Sequence, residues 1–131
     1  MNSSQKLELR MEAKETRLNP EKVTLSEGRI VRNAEKTGDD KAAVGGSWKG
    51  FWQFFAADDF PTECPFCGEK LNEDDIDGCH INVRRTNPFS KTTYFSRKKY
   101  IIPGHHDCNM KLGKEFSLET SILAIEAIEK K

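Results

Sequence analysis

Every Cys and His in the chain lies between positions 64 and 108: Cys64, Cys67, Cys79, His80, His105, His106 and Cys108. Cys64-Pro65-Phe66-Cys67-Gly68 places two thiols two residues apart, a spacing at which a tight turn brings both sulfurs to one point at tetrahedral separation. Proline sets φ inside such a turn, and the glycine after the second cysteine accepts positive φ, so the backbone can wrap around a metal. His105 and Cys108 repeat the spacing behind a second turn signal, Pro103-Gly104. Three thiolates and one imidazole form a closed structural Zn²⁺ set. Cys79 and His80 compete with it, but they are neighbours in an expected strand, where successive side chains point to opposite faces. At most one could join, and it would strand His105 or Cys108. The expected zinc ligands are therefore Cys64, Cys67, His105 and Cys108.

The elements that must hold these residues are sparsely apolar. Of 131 residues 36% are hydrophobic and 32% charged, which allows one small core that a metal would help to stabilise. Residues 1–45 read as a mobile, partly helical N-terminal tail, interrupted at Pro20 and followed by a flexible connection at Thr37-Gly38-Asp39-Asp40 and Gly45-Gly46. Residues 46–131 read as the zinc-stapled domain. Within it, Ser47 caps an expected helix over 47–57 that carries Trp48, Phe51, Trp52 and Phe55 on one face. The zinc module spans 62–115 with short β-type runs, and a C-terminal helix is expected over 118–130 from the spacing of Leu118, Ile122, Ile125 and Ile128. No apolar run is long enough to cross a bilayer and no secretion-like segment opens the sequence, so a cytoplasmic protein with no membrane role is expected. In that reducing compartment four cysteines serve as metal ligands ahead of disulfides.

The motifs Cys64-Pro65-Phe66-Cys67-Gly68, Asp77-Gly78-Cys79-His80-Ile81 and Tyr100-Ile101-Ile102-Pro103-Gly104-His105-His106-Asp107-Cys108-Asn109 resemble, in their order, the zinc-stapled members of the HNH, or ββα-metal, endonuclease family. The resemblance implies an α+β fold, a small zinc-bound treble clef with flanking helices. It also implies phosphodiester hydrolysis of nucleic acid, DNA above all, with Mg²⁺ or another divalent cation as a second cofactor. His80 maps to the general base and Asn109 to the cation-binding asparagine. Cys79 stands where the family has Asp or His, and Asp77, two positions earlier on the same strand face, could replace it. The alternative is a non-catalytic zinc module that binds nucleic acid or a protein.

Charge patterning bears on both readings. Net charge is zero, yet residues 57–78 hold eight acids and one base, whereas 81–114 hold eight bases and one acid, a net +7 with histidines neutral. Arg84, Arg85, Lys91, Arg97, Lys98 and Lys99, interleaved with Phe89, Tyr94, Phe95 and Tyr100, suit a phosphate backbone. The alternative is that the acidic and basic stretches pair with each other across a hairpin. The Trp48/Trp52 face either packs internally or meets a protein partner.

Overall fold

The computed structural model describes residues 1–35 and 40–130. In chain order the elements are α1 (Ser3–Glu15), β1 (Lys22–Leu25), β2 (Ile30–Asn33), α2 (Trp48–Ala56), β3 (Ile76–Thr86), β4 (Thr93–Phe95), β5 (Tyr100–His105), α3 (His106–Asn109), β6 (Glu115–Ser117) and β7 (Ile122–Glu126). The strands form one antiparallel sheet in the order β1-β7-β5-β3-β2-β6, with β4 paired to the outer part of β3. The sheet curls into a half-barrel with three helices. This corrects the expected treble clef: β3 and β5 are followed by a helix, but α3 is a single turn, and the hairpin sits in the middle of a sheet that draws strands from both ends of the chain.

The terminal segments account for the difference. Val31 of β2 pairs with Val83 on one side and with Phe116 of β6 on the other, and Leu25 and Val31 are fully buried. Residues 1–45 thus supply a sheet edge and an inner strand instead of a tail; the helical part is α1, opened by a reciprocal Asn2/Gln5 capping box. The expected C-terminal helix is strand β7. Its Ile122, Ala124 and Ile125 are buried by pairing with β1 and with the start of β5, and β-branched residues favour that half-buried surface over a helix. Most of the connection expected at Thr37-Gly38-Asp39-Asp40 lies outside the described residues.

The helix expected over 47–57 is α2, Trp48–Ala56, capped by the Ser47 side chain, which accepts a hydrogen bond from the Gly50 N–H. It packs on β3, β5 and β7. Phe51, Trp52 and Phe55 are buried, and the Trp52 indole donates to the Leu123 carbonyl at 2.8 Å while stacking on Phe60. Trp48 is half-buried, and its indole donates to the Asp40 carbonyl. Both indoles are therefore hydrogen-bonded within the fold, and the helix face that carries Trp48 and Trp52 packs on the sheet.

Two glycines set how closely the layers approach the β3–β5 hairpin. A Cβ on Gly78 would collide with the α2 backbone at Trp48 and Lys49, and one on Gly104 would lie 2.6 Å from the Phe66 ring of the first cysteine turn. Backbone cannot yield as a side chain can. Gly78→Ala is therefore expected to cost about 1–3 kcal/mol, read from urea unfolding, because α2 must lift off the sheet. An unchanged midpoint would show that α2 does not seat there.

Candidate metal centre

The first cysteine turn is a small closed loop. Cys64 N–H donates to the Glu69 carbonyl and Gly68 N–H to the Cys64 carbonyl, both at 2.7 Å, while Glu63 and Lys70 form a bridge at its base. Gly68 takes φ +77°, which an L side chain adopts only with strain. The second turn is the corner where β5 becomes α3, so His105 ends a strand and Cys108 lies on the one-turn helix. Phe66, seated over Gly104 and edge-on to Phe116 at 4.8 Å, presses the first turn onto this corner.

As a result the donor atoms of Cys64, Cys67, His105 and Cys108 all lie within 4.8 Å of one another and could hold a metal ion. Tetrahedral Zn–S bonds of ~2.3 Å require sulfurs roughly 3.8 Å apart, so the cluster needs little adjustment. The His105 ring is already oriented: Nε2 lies 2.9 Å from the Lys70 carbonyl and Nδ1 lies 3.1 Å from Cys67 Sγ. A carbonyl only accepts, so Nε2 carries the proton and Nδ1 faces the thiols as a ligand. The His105 N–H also donates to Cys64 Sγ at 3.4 Å. Burial, followed by the neighbouring Cys64, pushes the Cys108 thiol up to about 12. A bound cation would relieve that crowding by taking the thiols as thiolates. Among the described residues this is the one group of three or more Cys, His, Asp or Glu side chains close enough to share an ion. Cys79 is buried outside it, its thiol directed at the Asp77 carbonyl at 3.6 Å and held well above its ordinary pKa by burial.

Of the residues assigned to hydrolysis, two are together and one is apart. Asp77 Oδ2 accepts from Asn109 Nδ2 at 2.9 Å and lies 2.7 Å from His106 Nδ1. This ties α3 to β3 beside the metal centre, and the Asp77 hydrogen bond raises the His106 pKa. His80 lies on the other face of β3. Strand alternation puts Asp77 and Cys79 toward the cysteine turn and Gly78 and His80 toward α2. Consistently, Gly78 abuts Trp48, while Gly104, the pairing partner of Asp77, abuts Phe66. The His80 ring packs edge-on to Trp48 at 4.5 Å, is 6% exposed, and leaves Nε2 without a hydrogen-bond partner. Burial lowers its pKa to about 4, the nearby Asp40 only partly opposing this.

Asn33 and His106, neither of them an expected ligand or catalytic residue, complete the surroundings of the cluster. Asn33 of β2 is 1% exposed and donates through Nδ2 to the carbonyls of Cys108 at 2.7 Å and Lys111 at 3.0 Å, closing the C-terminal side of α3. Nothing local marks it, since its partners lie more than seventy residues away. His106 carries a readable signal: with Asn109 it forms an i, i+3 pair on one helix face, so both reach the same carboxylate.

The basic segment is divided as well. Arg85 Nη2 donates to the Tyr100 hydroxyl at 3.3 Å, and Lys98 pairs with Glu21 at 3.2 Å and Glu126 at 3.7 Å. These two are engaged inside the fold. Arg84, Lys91, Arg97 and Lys99 form no ion pair among the described residues. They lie on or beside the β3–β4 hairpin, whose tip exposes Phe89 (93%) and half-exposes Tyr94. Arg32 of β2 stacks over Phe95 at 4.3 Å and extends this basic face. No helix among the described residues is long and apolar enough to cross a membrane. Compared with protein families, curated proteins and solved structures, the chain matches none of them.

The burial of neutral His80 predicts a pH dependence. Its folded pKa of about 4 lies below the ordinary 6.5, so the unfolded chain binds the extra proton first and stability falls as pH drops from about 6.5 toward 4. The loss is roughly 1 kcal/mol between pH 7.5 and 5.5 and up to about 3 by pH 4. His80→Gln removes it, so wild type should lose more stability than this variant over the same interval in urea titrations. Ligand protonation affects both proteins alike, and parallel pH profiles would show that His80 is not buried neutral.

Proposed function

We propose that this chain is a non-catalytic, metal-stapled binding module, in which Cys64, Cys67, His105 and Cys108 hold one structural Zn²⁺ and the β3–β4 hairpin contacts the phosphate backbone of nucleic acid. Three thiolates with one imidazole suit Zn²⁺ better than a hard cation, and four protein donors leave no position open for a metal-bound water. Zinc would neutralise the thiolates and lock the first turn to the β5–α3 corner.

The observation that carries the non-catalytic reading is the division of the expected hydrolytic set across the two faces of β3. A general base must reach the water it activates, and its pKa should lie near the working pH. His80 is instead packed under Trp48 and neutral with a pKa of about 4, while Asp77 and Asn109 are occupied with each other and with His106. Neither Mg²⁺ nor a soft thiol ligand at Cys79 is needed to account for that arrangement. Support for the nucleic-acid contact comes from the hairpin: Arg84, Lys91 and Arg97 are exposed beside Phe89 and Tyr94, cations that can neutralise phosphates next to rings that can stack on unpaired bases.

Fluorescence anisotropy with labelled duplex and single-stranded oligonucleotides tests this. Wild type is expected to bind with an affinity that falls steeply with salt, and Arg84→Glu/Arg97→Glu should weaken it about tenfold or more while reducing the salt slope by about two. Supercoiled plasmid should survive incubation with Mg²⁺ or Mn²⁺. Cleavage lost on His80→Ala would establish the hydrolytic reading with His80, Asn109 and Asp77 instead, and salt-independent or absent binding would remove the hairpin's role.

A further inference from the structure

A second basic feature lies away from the metal centre. The end of α1, the connection over 16–20 and the start of β1 enclose a cleft of about 390 Å³, within the size range of small-ligand sites. Arg10, Lys14, Arg17 and Lys22 line it, and no carboxylate does. None of these four cations forms an ion pair among the described residues. By contrast Lys6, one turn earlier on α1, is paired with both Asp58 and Asp59.

Such a grouping has an energetic cost. Arg10 and Lys14 are i, i+4 neighbours of like charge, which destabilises a helix unless an anion joins them. The helix dipole favours a cation in the last turn, which accounts for Lys14 but not for Arg10 farther up the helix or for Lys22 on a strand. Asn19 and the apolar residues Leu18, Pro20 and Phe55 also line it. Four unpaired cations lining one cleft match a ligand with more than one negative charge on a compact group, and Arg presents its donors in a fork suited to phosphate oxygens.

We propose that this cleft binds a small diphosphate-bearing molecule, with Arg10, Lys14, Arg17 and Lys22 around the phosphates. Pyrophosphate, ADP and adenosine, titrated calorimetrically into the 131-residue protein as purified at about 0.1 M salt, test the site and the source of the diphosphate. Pyrophosphate and ADP should both bind and adenosine should not. Equal affinity for the first two assigns the ligand to inorganic diphosphate, and tighter ADP binding assigns it to a nucleotide whose base contacts the apolar lining residues Leu18, Pro20 and Phe55. Arg10→Glu/Arg17→Glu should weaken both about tenfold or more, with melting temperature and zinc content unchanged because both side chains are exposed. The proposal is overturned if neither phosphate compound binds at millimolar concentration, if adenosine binds as well as ADP, or if the variant binds as wild type does. It is equally overturned if the variant loses oligonucleotide affinity while wild type ignores pyrophosphate, since the cations would then serve a nucleic-acid strand.

Discussion

Four donor atoms from two turns nearly forty residues apart in sequence meet within 4.8 Å, and Phe66 of the first turn lies against Gly104 of the second where they meet. The rest of the architecture is arranged around this junction. One turn hangs from the long connection between α2 and β3, and the other is the corner that turns β5 into α3. Asn33, from the N-terminal part of the chain, holds the far side of that corner through two carbonyls. A cation there would join the two turns with bonds far stronger than the contacts a chain with one-third charged residues can make in its core.

The β3–β5 hairpin separates two environments. On the cysteine-turn side, Asp77, Asn109 and His106 form a polar tie between strand and helix, partly open to solvent. On the α2 side, His80 is enclosed with Trp48, Phe51 and the apolar face of the sheet. A single strand can carry chemistry-bearing residues at adjacent positions and still keep them in different surroundings, because alternation sends neighbours to opposite faces. This alternation separates His80 from Asp77 and Asn109, and it places the latter two beside the Cys/His cluster that could hold a metal ion.

The Cys/His cluster was legible because paired candidate ligands at two-residue spacing with Pro and Gly in the turns constitute a local signal. The α2 helix was legible for the same reason, its cap and apolar face lying within ten residues. What was not legible was long-range. Val23, Leu25, Ile30 and Val31 are too few to announce strands, and their strand partners follow fifty to a hundred residues later. Ile122 and Ile125 fit a helical period as well as a strand, and only pairing with Lys22–Leu25 and β5 decides between them. The side of β3 that His80 faces was readable in principle, since Asp77 and Cys79 were already placed on one face, but the helix covering the other face could not be located from sequence. Likewise the basic run 81–114 did not reveal that Glu21 and Glu126, from opposite ends of the chain, would engage Lys98.

Native mass spectrometry of protein purified without added metal, followed by chelation monitored by circular dichroism, tests the central claim most directly. The account predicts one zinc per chain, held by wild type and lost in Cys67→Ser and His105→Ala, with cooperative loss of the sheet signal when the ion is stripped from wild type. A wild-type chain that is metal-free as purified, takes up no zinc when it is supplied, and is nonetheless fully folded would contradict it.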